Sequence, residues 1–108
     1  MSSAEFQLKT APESTPLEVT VTGEVDASNV VAFDSALREL PGPRPMILHL
    51  SSVKYLDSAG FSALDRLLAD SEIVIVLAPK SFMYRVAELM CMPIHHDAKA
   101  ARRAIRSG

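Results

Sequence analysis

Apolar and polar residues alternate along Phe6–Thr10 and again along Leu17–Thr22, the period-two signature of strands with one buried face. Between them, Ala11-Pro12-Glu13-Ser14-Thr15-Pro16 carries two prolines and reads as a turn, which predicts an antiparallel hairpin with Gly23 closing its second strand. At Ser28 the period lengthens. Val30, Phe33, Leu37 and Leu40 fall three or four apart on one stripe of a helix, with Asp26 and Ser28 both suitable as N-caps. Pro41-Gly42-Pro43 and Pro45 end that helix, and Met46–Leu50 is a near-continuous apolar run suited to a buried central strand. A second helix follows Tyr55-Leu56-Asp57-Ser58-Ala59-Gly60, with Phe61, Leu64, Leu67 and Leu68 on one face, and breaks at Asp70-Ser71-Glu72. Ile73–Leu77 is β-branched, uncharged and short, the clearest strand in the chain. Ser81 caps a third helix marked by Phe82, Val86, Leu89 and Met90 and stopped by Pro93. Asp97 caps a last helix, Ala98–Arg106, which turns Ala101 and Ile105 inward; a short strand at Ile94–His96 fits before it.

The predicted order is therefore β-β-α-β-α-β-α-α. Strand-helix-strand repeats require parallel neighbours joined by right-handed crossovers. The expected fold is α/β: a small mixed, mostly parallel sheet of four to five strands covered by helices. Its 108 residues suit one domain, 1–108, and one core. A net charge of −2 supplies no basic excess for direct nucleic-acid binding. No apolar run approaches the roughly 20 residues of a membrane span, and no signal-peptide pattern opens the chain. The expectation is no membrane insertion and a cytoplasmic location. Cys91, the one cysteine, excludes an internal disulfide, and its neighbours Met90 and Met92 predict an apolar, inert setting.

Parallel strands bring their carboxyl ends to one edge of the sheet, where sites gather in such folds. Gly23-Glu24-Val25-Asp26-Ala27-Ser28 and Tyr55-Leu56-Asp57-Ser58-Ala59-Gly60 both leave from that edge, which predicts that Asp26, Asp57 and Ser58 are neighbours. Ser58 lies at a helix start, where free N–H groups and the helix dipole accommodate an anion such as a phosphate. Small Ala59 and flexible Gly60 leave its hydroxyl approachable. Locally, however, Asp57 or Ser58 equally serves as a simple helix cap.

Enzymatic readings fare worse. A nucleophilic Ser58 needs a base, yet His49 is mid-strand, His95 and His96 are near the far end, and no Gly-x-Ser-x-Gly elbow exists. Asp26 and Asp57 lack the pocket and aromatics that acid–base work on a sugar needs. His95-His96-Asp97 reads as a surface turn rather than a metal site. Arg102, Arg103 and Arg106 read as a solvated helix face. No glycine-rich phosphate loop is present, so nucleotide binding at the Ser58 edge is a weak reading. No cofactor or metal is expected.

Gly23-Glu24-Val25-Asp26, then a helix, then Ile47-Leu48-His49-Leu50-Ser51-Ser52-Val53 running into Leu56-Asp57-Ser58-Ala59-Gly60, resembles the STAS domain of bacterial anti-sigma factor antagonists. The likeness continues through Ile73–Pro79 and the helix holding Arg85-Val86. It implies a non-catalytic partner switch. On that resemblance, Ser58 is expected to be phosphorylated by an anti-sigma factor with serine kinase activity, the unphosphorylated form to bind that kinase and free a sigma factor, and a serine phosphatase to reset the cycle. The resemblance implies partner contacts at Asp26, Asp57, Ser58, Ala59, Gly60 and Phe61. Two departures stand out: His49 where the family commonly has an acidic or polar residue, and a stretch from Gly60 to Ile73 about two turns, roughly seven residues, short. The alternative function is a STAS regulatory subunit of a membrane transport complex for lipid or anions, binding an ATPase. The exposed hairpin edge also allows a homodimer.

Overall fold

The computed structural model describes residues 4–11 and 16–107. The amino-terminal alternation becomes β1 (Phe6–Ala11) and β2 (Glu18–Val25), paired antiparallel from Phe6 opposite Gly23 to Ala11 opposite Glu18. The turn read at Pro12–Thr15 lies outside the described residues. Gly23 does not close β2, which runs on to Val25 with a shift in pairing between Gly23 and Glu24. Gly23 has φ 93°, and a Cβ there would collide with the Glu5 carbonyl oxygen, so a glycine is what lets β1 come this close.

The remaining elements are α1 (Val30–Arg38), β3 (Met46–His49), β4 (Val53–Leu56), α2 (Ser58–Ala69), β5 (Ile73–Val76), α3 (Phe82–Leu89) and α4 (Ala98–Ser107). The sheet is ordered β1-β2-β3-β5, with β4 also paired to β2. All pairings except β1 with β2 are parallel. The result is a mixed, mostly parallel α/β sheet of five strands with four helices, of the predicted class and within the predicted four to five strands. Between Ile94 and His96 only an isolated bridge forms, His95 with Val76.

β4 is the strand that the patterning does not predict. Long β2 takes two parallel partners in succession, β3 along Glu18–Thr20 and β4 along Gly23–Val25. β3 and β4 are separated by a turn at Ser51-Ser52, and Ser51 Oγ accepts from the Ala78 amide at 2.8 Å. This turn lifts β4, and whatever follows it, past the end of β5.

The sheet has two unequal faces. On one, Val19, Val21, Leu48 and Ile75 pack against Phe33 and Leu37 of α1 and Leu64 and Leu67 of α2 in a single large core. Each fully buried side chain of this size stabilises by about 1.5–3 kcal/mol. On the other, Ile47, Val74 and Val76 form a smaller cluster with Ala101 and Ile105 of α4, the inward positions predicted for that helix. Arg102 leaves the predicted solvated face to bond Glu18 Oε2 at 2.6 Å, while His49 Nε2 meets Glu18 Oε1 at 2.9 Å. These two contacts fasten α4 and β3 to β2.

The ends of α1 and α3 are set by particular residues. α1 ends where its prolines predict, but Arg44 finishes it: Nη2 donates to the carbonyls of Leu40 at 2.7 Å and Arg38 at 3.0 Å, and Nε to Glu72 at 3.0 Å. Carbonyls without helical partners thus find a cation, favourable at a helix C-terminus. α3 buries Met83 and Ala87, whereas Phe82 and Leu89 point outward. Its apolar residues lie on two faces, and the smaller pair fits the space beside the core. The helix ends at Leu89, ahead of Pro93, and Cys91 turns the chain with φ 56°. Cys91 is exposed, so the apolar setting predicted from its methionine neighbours is not found. Among the described residues, no helix is long and apolar enough to cross a membrane.

Candidate functional site

β2 and β4 run parallel with Val25 opposite Leu56, so the loops that follow them leave side by side. The first atoms past the ladder already join: the Asp57 amide donates to the Val25 carbonyl at 3.2 Å. Asp57 then performs two tasks with one carboxylate. Oδ1 accepts from the Gly60 amide at 3.0 Å and caps α2, while Oδ2 accepts from the Ala27 amide at 3.2 Å. The group is half-buried and both oxygens are engaged within the chain. Its place is that of a fastener between loops.

With Asp57 as the cap, Ser58 falls one position later, on the first residue of α2. It is exposed, and its hydroxyl makes no hydrogen bond among the described residues. The first turn of α2 holds no acidic side chain. Amides of a first helical turn have no intrahelical acceptor, so an anion on this hydroxyl would meet the positive end of the helix.

Gly60 and Phe61, both inferred as partner contacts, are not on the surface. Phe61 is 6% exposed and belongs to the large core. A Cβ on Gly60 would run into Leu56, lying 2.8 Å from Cγ, and would stand 3.4 Å from the Val25 carbonyl oxygen. The need for glycine here is close packing of α2 on β4. These two residues hold up the site from beneath, while Ala59 is half-buried beside Ser58.

Asp26 occupies the neighbouring loop. Its Oδ1 accepts from the Ser28 amide at 2.8 Å and from the Ser28 hydroxyl at 2.5 Å. The Ser28 hydroxyl, seconded by the Ser28 amide, holds the Asp26 carboxyl below its ordinary pKa, against a smaller opposing effect of burial. Neither Asp26 nor Ser28 caps α1, contrary to expectation. The N-cap position is Asn29, whose side chain is occupied elsewhere. Asn29 Oδ1 accepts from the Asp26 amide at 2.9 Å, and Nδ2 donates to the Glu24 carbonyl at 2.9 Å and the Ala4 carbonyl at 3.1 Å. Sequence reasoning missed Asn29; an asparagine closing an Asp-Ala-Ser run is the signal of an Asx-type turn that could have found it.

The other candidates stay apart from this edge. His96 Nε2 lies 2.9 Å from the Tyr84 hydroxyl, and His95 bonds to β5 through its backbone. Among the described residues, no group of three or more His, Cys, Asp or Glu side chains could hold a metal ion. The assembled edge therefore offers one exposed hydroxyl at a helix start, one ionised carboxylate in the adjoining loop, and a second carboxylate locked into the framework.

Comparison with known proteins follows the same lines. The family model for the STAS domain matches residues 6–89, which takes in both loops and every strand but excludes α4. The crystal structure of an anti-sigma factor antagonist from Mycobacterium paratuberculosis is similar in fold, with a TM-score of 0.71 at 18% sequence identity. The likeness covers 94% of this chain and 95% of that one. No curated protein matches the chain.

Proposed function

The chain belongs to the STAS domain family, and from that premise we propose that it is a cytoplasmic, non-catalytic anti-sigma factor antagonist switched by phosphorylation of Ser58. One observation carries the reading: Asp57 takes the cap of α2, which leaves the Ser58 hydroxyl exposed and unspent at the helix start. In its neutral form this edge binds an anti-sigma factor that is also a serine kinase, and so releases a sigma factor. Phosphate transfer to Ser58 ends the interaction, and a serine phosphatase restores it.

The physics of the switch is local. A phosphate adds about −1.5 to −2 charge and three acceptor oxygens. The helix start favours that anion, while ionised Asp26 makes the same edge more acidic still. An interface shaped for a neutral hydroxyl would have to desolvate a dianion. A penalty of about 3 kcal/mol weakens binding roughly a hundredfold. No rearrangement of the framework is required, since Asp57, Gly60 and Phe61 are already committed to the fold.

The test uses the cognate kinase and ATP, with intact-mass spectrometry of the product. A single phosphate should arrive at Ser58. Ser58→Ala should bind the kinase whether or not ATP is present, and Ser58→Glu should bind about a hundredfold more weakly. Equal binding by the two variants would sink the switch, and capture of a transporter ATPase in place of the kinase would move the chain to the transport-complex role.

A further inference from the structure

The large core leaves one conspicuous gap in its economy of apolar surface. Among the described residues, Phe82 is 82% exposed, Leu89 79% and Met90 45%, three of the five large apolar side chains that remain in water. Phe82, Val86 and Leu89 are spaced four and three apart, which places them on one stripe of α3. An open groove of about 540 Å³ runs along that stripe. Two opposite charges, Arg85 and Glu88, share the outward side a turn apart, with Lys80 at the groove's end ahead of the helix, and none of the three forms an ion pair among the described residues.

We infer that this face is a homodimer interface, with α3 of one copy lying antiparallel on α3 of a second copy about a two-fold axis. A two-fold contact is self-complementary: what one copy offers, the other must accept. An axis passing near Arg85 and Val86 sets Phe82 against Leu89 of the second copy. The same axis brings Arg85 beside Glu88 of the second copy, and does so twice. A partner of single charge sign would satisfy one of these groups and confront the other with a like charge; a second copy satisfies both. Because α3 has only eight residues, the contact is at the small end of specific interfaces, so the dimer is weak and reversible. This surface is distinct from the β1 edge and does not depend on Ser58.

Sedimentation of the full chain from about 1 μM to about 1 mM tests the proposal, with reducing agent present because Cys91 is exposed. The expected result is a concentration-dependent monomer–dimer equilibrium. Leu89→Asp, a change at an exposed position, should raise the dissociation constant at least about tenfold without altering the circular dichroism of the monomer. Arg85→Glu and Glu88→Arg should each weaken the dimer, and the double variant should restore it toward the original strength. A chain that stays monomeric throughout overturns the proposal. So does a dimer indifferent to Leu89→Asp, or a double charge reversal no stronger than its single variants.

Discussion

Helices α2 and α3 both begin at the carboxyl edge of the sheet, and each has a serine at its start, yet the two serines live differently. Ser81 is the N-cap of α3, and its hydroxyl accepts from the Met83 amide at 3.3 Å. Ser58 sits one position inside α2, because Asp57 has taken the cap with a charged oxygen at 3.0 Å from the Gly60 amide. One hydroxyl is spent on the helix; the other is free for chemistry. The difference is made by the preceding residue, Lys80 in one case and Asp57 in the other. An aspartate ahead of a serine at a helix start therefore does more than add charge. It relieves the serine of a structural duty and leaves it accessible.

The unlike roles of the two serines depend most on Asp57. Its replacement by alanine removes the cap, worth about 0.5–2 kcal/mol, and the acceptor of the Ala27 amide, worth about 0.5–1.5 kcal/mol. The expected loss in urea unfolding is about 1–3.5 kcal/mol, the sum of those terms. A loss below about 1 kcal/mol would mean that Ser58 moves in as a substitute cap. The two serines would then be interchangeable and the contrast would dissolve.

Ser81→Ala comes next, with an expected loss of about 1 kcal/mol as a lone hydroxyl cap disappears. Ser58→Ala should change stability by no more than about 0.5 kcal/mol in either direction, the range of an exposed substitution that touches nothing. Paired denaturation curves of these two variants measure the difference between the two hydroxyls. If Ser58→Ala proved as costly as Ser81→Ala, the Ser58 hydroxyl would be a structural group, and a phosphate there would disturb the fold as well as the partner.

How far this was legible in the sequence depends on the distance over which each feature is determined. The strands Phe6–Ala11 and Ile73–Val76 announce themselves because their burial follows from one residue to the next. β4 does not, since its four residues are buried only at the two ends and exposed in the middle, which is neither an alternation nor a run. The buried face of α3 is not legible for a related reason: Phe82 and Leu89 form as good a stripe as Met83 and Ala87, and only packing against the sheet chooses between them. At the site, the adjacency of the two loops follows from parallel strands alone. The second bond of Asp57 could not be read, because Ala27 is thirty residues away and contributes only a backbone amide. The 3.6-residue periodicity of Phe61 with Leu64 and Leu68 does announce its place in the core.

The smallest effect concerns the charge that accompanies Ser58. The Ser28 hydroxyl is the largest cause of the lowered Asp26 pKa, ahead of the Ser28 amide. Ser28→Ala should therefore raise the Asp26 titration toward the ordinary carboxylate value, as followed by carboxyl-carbon NMR against pH. The sign for stability follows from linkage. A folded pKa below the unfolded one gives a contribution that is complete above the unfolded value, about 3.9, and is lost as pH falls through the folded value. Ser28→Ala should thus shrink a contribution that vanishes only in acid, with its window below about pH 4. At neutral pH Asp26 is ionised in either protein, so phosphorylation of Ser58 should proceed alike in both. An Asp26 titration unmoved by Ser28→Ala would show that the hydroxyl merely accompanies the carboxylate. The acidity of this edge would then be set by the backbone of the loop, and the Ser28 side chain would have no part in it.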